Sequence, residues 1–144
     1  MIYFDTSFLA PLILEEASSV RVEAYVNRLP RGELCVSHWA RVEFASLLAR
    51  EVRTGGLAER DALAAARQLE EMLADSYQII SPQPPDYELA RQFILRFPTA
   101  LRAGDAVHLA VARNHGAKSL LTLDKGMLKA GKLLKVPVRL GIRM

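Results

Sequence analysis

The sequence predicts an α/β fold of three layers, α/β/α, around a central, mostly parallel sheet of about five strands. Two observations lead there. Five short apolar runs, each flanked by turn residues, recur along the chain and have the length of buried strands. Segments with helical spacing separate them, and strict alternation of strand and helix argues for a parallel sheet covered on both faces. The chain is 144 residues long and 51% hydrophobic, which suits one domain spanning residues 1–144 with a substantial core.

The elements follow in order. Ile2, Tyr3 and Phe4 form the first run, which Asp5 ends; Asp5, Thr6 and Ser7 are all N-cap residues, and Pro11 complicates the helix that follows, since proline is tolerated only near the first turn. Val22, Tyr25, Val26 and Leu29 mark one helix face, with Ser18 or Ser19 as its cap. The second run is E-L-C-V-S (33–37), where the single cysteine, Cys35, reads as a small buried side chain; no disulfide can form within the chain. A long helical pattern, H-W-A-R-V-E-F-A-S-L-L-A-R-E-V, follows and stops at Gly55-Gly56. An Ala/Leu/Glu-rich helix covers 59–74, and Y-Q-I-I-S (77–81) is the third run. Pro84-Pro85 opens a helix near Asp86 that closes before Pro98. The segment A-G-D-A-V-H-L-A-V-A-R-N-H-G is an unusually apolar helix with Gly116 in a good C-terminal capping position. K-S-L-L-T-L (118–123) and V-P-V-R-L (136–140) supply the last two strands, with Asp124 placed to cap a short helix between them. In sheets of this kind ligands sit beyond the carboxyl ends of the strands, near the point where strand order reverses.

The net charge is +3, but it is unevenly spread. Residues 1–101 carry a net of −4, residues 102–144 a net of +7. The basic final third suits a polyanion or an acidic partner, although a solvated surface explains the charge equally well. No apolar run approaches the ~20 residues of a membrane span. The N-terminus lacks the basic start of a secretory signal, and Asp5 and Pro11 break its apolar stretch, so the expected location is the cytoplasm, away from any membrane.

Four acids stand out against this plan. Asp5 ends the first strand and Asp124 the fourth; Glu43 lies in the helix after the second strand, and Asp105 begins the apolar helix. Beyond Glu88, Asp105 and Asp124 are the only acids in a basic segment. Singly, each has an ordinary explanation: Asp5, Asp105 and Asp124 as caps, Glu43 as a partner of Arg41 or Arg50. In a doubly wound sheet, however, all four fall on the same edge. Two carboxylates about 4 Å apart repel by about 4 kcal/mol at an effective dielectric near 20. A cluster of them stays ionised when a cation fills it, and an all-oxygen donor set without a cysteine or histidine group suits Mg²⁺ or Mn²⁺. The chemistry that follows is metal-assisted attack of water on a phosphodiester, with a basic rim to gather the substrate backbone.

The ordered set Y-F-D-T-S, E-F-A at Glu43, L-R-A-G-D-A-V-H-L-A and L-L-T-L-D resembles the PIN-domain nucleases, and among them the VapC-type toxins of toxin–antitoxin pairs, over essentially the whole chain. The resemblance implies a PIN-like fold and a Mg²⁺- or Mn²⁺-dependent endoribonuclease. It also implies a homodimer blocked by a cognate antitoxin whose tail enters the active groove. Carried over by motif, Asp5 and Asp105 are direct metal ligands, while Glu43 and Asp124 act through metal-bound water. Thr6, Ser7 and Thr122 match the small polar residues that support such a site, and Gly104 stands where small residues are common.

Other residues invite less. His108, three positions after Asp105, is expected to be a buried, hydrogen-bonded histidine; His38 and His115 are expected at the surface. Trp39 and Tyr25 suit a core or dimer contact. Arg41, Arg50 and Arg102 are within range of an RNA on the rim, but the sequence does not separate them from solvated charges. Phosphatase-like and receiver-like domains also place an Asp after the first strand. The former want a second Asp where Ser7 stands, and the latter an Asp after the third strand, where the chain reads I-I-S-P. A stand-alone nuclease of RNA processing and a catalytically silent binding module remain as alternatives.

Overall fold

Each of the five apolar runs forms a strand in the structure, a computed structural model that describes residues 1–143: β1 (Ile2–Phe4), β2 (Leu34–Ser37), β3 (Gln78–Ile80), β4 (Ser119–Leu121) and β5 (Val138–Arg139). They make one sheet in the order β3-β2-β1-β4-β5, and every pairing is parallel, as in Tyr3 opposite both Cys35 and Leu120. Seven α-helices lie among the described residues: α1 (Thr6–Leu9), α2 (Ser19–Val26), α3 (His38–Arg53), α4 (Glu59–Ser76), α5 (Pro84–Leu95), α6 (Ala103–Asn114) and α7 (Lys125–Leu134).

The strand period of two divides the core. Phe4, Val36 and Leu121 point to one face, where α1 to α4 cover them with Phe8, Val22, Phe44 and Leu73. Tyr3, Cys35 and Leu120 point to the other, where α5 to α7 supply Phe93, Leu109, Val111 and Leu134. Cys35 is fully buried, as expected. No helix among the described residues is long and apolar enough to cross a membrane.

Local details refine the expectations. Pro11 sits in a single 3₁₀ turn (Ala10–Leu12) rather than a longer helix. Ser18 occupies the N-cap position of α2 without a capping bond from its side chain, while the Ser19 hydroxyl accepts from the Glu16 amide and donates to the Leu14 carbonyl. The helix expected over 59–74 runs two residues further, to Ser76. Gly116, at φ +70°, follows α6 in the left-handed region that glycine adopts without strain.

The chain builds outward from β1 to β2 and β3, then returns to lay β4 and β5 on the other side of β1. Strand order therefore reverses between β1 and β4. The crevice beyond their carboxyl ends is where this topology leaves room for a ligand.

Candidate active site

Asp5 and Asp124 flank that crevice because each directly follows the strand, or strand and turn, that forms one of its walls. Both do act as N-caps. Asp5 Oδ1 accepts from the Phe8 amide at 3.0 Å, and Asp124 Oδ1 from the Gly126 amide at 2.7 Å. Capping does not take either acid out of the crevice, since both also line it. In Asp124 capping engages a single oxygen. The loops are laced together by two hydroxyls. Ser7 Oγ donates to Asp5 Oδ1 at 2.7 Å, accepts from the Leu123 amide at 2.9 Å and lies 3.1 Å from Thr122 Oγ1. Thr122 Oγ1 in turn accepts from the Asp124 amide at 3.0 Å. Thr122 is completely buried behind the crevice and supports it from below.

Glu43 and Asp105 enter from the helices. α3 follows β2 and α6 precedes β4, so both helices have their N-termini on the carboxyl edge of the sheet. Glu43 pairs with neither arginine considered above; Arg41 instead forms a bidentate ion pair with Glu70 of α4, N–O 2.7 Å. Glu43 Oε1 accepts from Thr6 Oγ1 at 2.7 Å and from His108 Nε2. His108 is 1% exposed, and its Nδ1 lies 2.7 Å from the Tyr3 hydroxyl, which also bonds Ser37 Oγ at 2.9 Å. The carboxylate can only accept, so Nε2 carries the hydrogen of this bond. His108 is thus buried and hydrogen-bonded, as expected, and its partner is one of the four acids. Asp105 differs from the rest: it is half-buried, and its carboxylate makes no hydrogen bond to another described residue.

Asp5, Glu43, Asp105 and Asp124 line one cavity of about 560 Å³, together with Thr6, Ser7, His108 and the α3 residues Ser46, Leu47, Arg50 and Arg53. The expected four acids are brought together. They are not drawn into a ready-made cage, since no group of three His, Cys, Asp or Glu side chains among the described residues stands close enough to hold a metal directly. The electrostatics register the crowding. Burial raises the Asp5 carboxyl, against His108 and the Ser7 bond. Burial also lifts Asp105 to about 6, with Asp124 adding to the rise and His108 opposing it. Glu43 is pushed up by burial too, but its bonds to His108 and Thr6 outweigh that and hold its pKa below the ordinary value.

Residues that sequence reasoning left out are Ser46, Leu47 and Arg53. The signal was present: counting from Glu43 at helical spacing reaches positions 46, 47, 50 and 53 on one side of α3. The basic final third of the chain, by contrast, supplies no lysine or arginine to the cavity. Its cations lie elsewhere, Lys118 for example against Glu33 at 2.9 Å.

The PIN domain family model matches residues 2–133, and the chain belongs to this family of nucleases, whose members generally use divalent metal ions. Among solved structures it is similar to the toxin VapC20 of Mycobacterium tuberculosis, described as cleaving the sarcin–ricin loop, at 24% identity over 91% of this chain and 95% of that one, TM-score 0.74. It is also similar to FitAcB of Neisseria gonorrhoeae, at 19% identity over the full length of both chains, TM-score 0.78. A toxin–antitoxin complex from Klebsiella pneumoniae matches at 18% identity over the full length of both chains, TM-score 0.67. No curated protein sequence matches the chain.

The donor set fits a hard divalent cation. Every free donor is a carboxylate or hydroxyl oxygen; the one imidazole is already bonded on both nitrogens, and the thiol of Cys35 is buried in the sheet. Spaced carboxylates without a closed cage suit Mg²⁺, which keeps several waters and takes one or two carboxylates directly.

Proposed function

We propose that residues 1–144 form a single PIN nuclease domain that hydrolyses RNA phosphodiester bonds with Mg²⁺ or Mn²⁺, as the toxin of a toxin–antitoxin pair. The convergence of four carboxylates from four separate elements on the crevice where strand order reverses carries this reading. Asp5 and Asp105 are the direct ligands, Asp105 because nothing else engages it. Glu43 and Asp124 hold water. The ion, when bound, polarises the phosphate and lowers the pKa of water. Glu43 is then the acid best placed to receive a proton: Thr6 and His108 fix Oε1, which leaves Oε2 as the acceptor. Ser7 and Thr122 keep Asp5 and Asp124 at a constant separation by tying the two loops together. The toxin role is supported by the similarity to structures of toxins and of a toxin–antitoxin complex. A cognate antitoxin that inserts into this groove, and a homodimer, complete the reading.

The test is cleavage of RNA by the purified protein with Mg²⁺ or Mn²⁺ and its arrest by EDTA; no cleavage under either metal rejects the proposal. Growth arrest on expression, relieved by the product of an adjacent upstream gene, tests the toxin role separately.

Gly104 offers a sharper test of Glu43. A Cβ at this position would lie 2.5 Å from Glu43 Oε2 and 3.3 Å from Trp39 Nε1. Gly104→Ala should therefore displace the free oxygen of Glu43. The displaced atom ends a flexible side chain and alanine is the better helix former, so stability should stay within about 1 kcal/mol of the parent. Cleavage should fall roughly tenfold. Full activity in Gly104→Ala would show that Oε2 does not need its present position.

A further inference from the structure

We propose that Arg50 and Arg53 form a clamp for the sugar–phosphate backbone of single-stranded RNA beside the carboxylate cluster; the choice of RNA rests on the nuclease reading above. A cavity lined by four carboxylates repels a polyanion; a divalent ion bound there offsets only part of that field, and cations on the wall offset more of it. Among the described residues, Arg50 and Arg53 are the only lysine or arginine side chains that line it. Both are exposed, and neither guanidinium makes an ion pair or hydrogen bond to another described residue. Arginines in the last turn of α3 also complement the helix dipole. That accounts for the sign of their charge, not for the face they occupy.

The geometry gives the clamp a direction. Glu43, Arg50 and Arg53 share one side of α3, and at 1.5 Å per residue the two arginines stand about 10 and 15 Å along the helix from the acid. α3 is thus a rail, negative at the end that enters the carboxylate cluster and positive at the other. A strand laid along it puts the scissile phosphate at the acids and neighbouring phosphates under the guanidiniums, whose planar forks bind phosphate oxygens in pairs. The same structure removes the other two rim candidates. Arg41 is committed to Glu70, and Arg102, at the N-cap of α6, does not line the cavity.

The experiment is a fluorescence-anisotropy titration of a labelled oligouridylate, in EDTA, at several salt concentrations. It compares the parent, Arg50→Gln/Arg53→Gln, and a control, Arg31→Gln/Arg91→Gln, with the same net charge but with Arg31 in the turn at the amino end of β2 and Arg91 paired to Glu88 on α5. Loss of two phosphate contacts should flatten the slope of log affinity against log salt by about 1.4, and affinity at low salt should drop about tenfold. The control should bind within about twofold of the parent. All three should melt together, because the four arginines are exposed. A double variant with the slope of the control, or a parent that does not bind the strand, overturns the clamp. Arginine-dependent binding by a parent that cleaves nothing with metal would sink the hydrolytic reading and leave the clamp standing.

Discussion

Asp105→Asn should abolish RNA cleavage and, in the same protein, raise the thermal midpoint measured without metal. The Asp105 carboxylate alone of the four has no hydrogen-bond partner among the described residues, so its oxygens are the most available for a cation. Losing a direct ligand should cost more than the roughly 10–100-fold typical of supporting residues. The stability gain follows from linkage. The carboxyl titrates near 6 in the folded chain because of burial and Asp124, against about 4 when unfolded. Between those values the folded state holds the extra proton. Stability therefore falls as pH rises through that window, and the deficit is complete above it. Asparagine carries no such deficit. At pH 7.5 in EDTA the variant should exceed the parent by about 1 kcal/mol, after discounting for the water that screens a half-buried group, or a few degrees. The gap should close as pH falls toward 4. An inactive variant with an unchanged or lower midpoint would count against the crowding of acids; a variant that cuts at the parental rate would remove Asp105 from the chemistry altogether.

His108→Ala should have the largest combined effect on stability and rate. The imidazole is 1% exposed and serves Glu43, Tyr3 and, at 3.4 Å, Thr6. Removing it opens a cavity, strips the Tyr3 hydroxyl of one partner and leaves the inner oxygen of Glu43 held by Thr6 alone. We expect a loss of about 2–4 kcal/mol, read in denaturant titrations. The turnover number should drop 10–100-fold as Glu43 loses its orientation. The KM for RNA should barely move, because backbone binding lies with the arginines. His108→Gln restores an amide N–H near the Nε2 position and should recover part of the turnover. If alanine lowers stability while turnover per folded molecule stays at the parental level, His108 is a core residue only.

Much of this is legible in the sequence, and what is not has a common cause. The central strands announce themselves because a parallel strand buried on both faces must be apolar throughout, as Tyr3-Phe4 and Leu120-Leu121 are, while the edge strands β3 and β5 keep a shorter apolar signal beside exposed Gln78 and Arg139. The four acids are visible as well: Asp5 and Asp124 stand just beyond the ends of apolar strands, and Glu43 and Asp105 interrupt the apolar pattern of helices. Partners across space are not. The sequence marks His108 as buried, but that it grips Glu43 depends on α3 and α6, which cover opposite faces of the sheet, meeting at its carboxyl edge, with the two residues 65 apart in the chain. The polar side of α3 carries Glu43, Ser46, Arg50 and Arg53, and in sequence it reads as an ordinary solvated face; helical spacing says which residues share a side, not what that side looks at. Charge along the chain also misleads. The basic final third contributes no cation to the cavity, although α7 starts at Asp124 on its rim.

Asp5 and Asp124 lie more than a hundred residues apart in the chain, stitched together through Ser7 and Thr122. During synthesis Asp5 comes first, and its counterpart leaves the ribosome only after more than a hundred further residues. A growing or prematurely terminated chain that stops short of β4 consequently carries three of the four acids but lacks Asp124 and one wall of the crevice. On the reading proposed above, cleavage is deferred until β4 and Asp124 have been made and folded against β1.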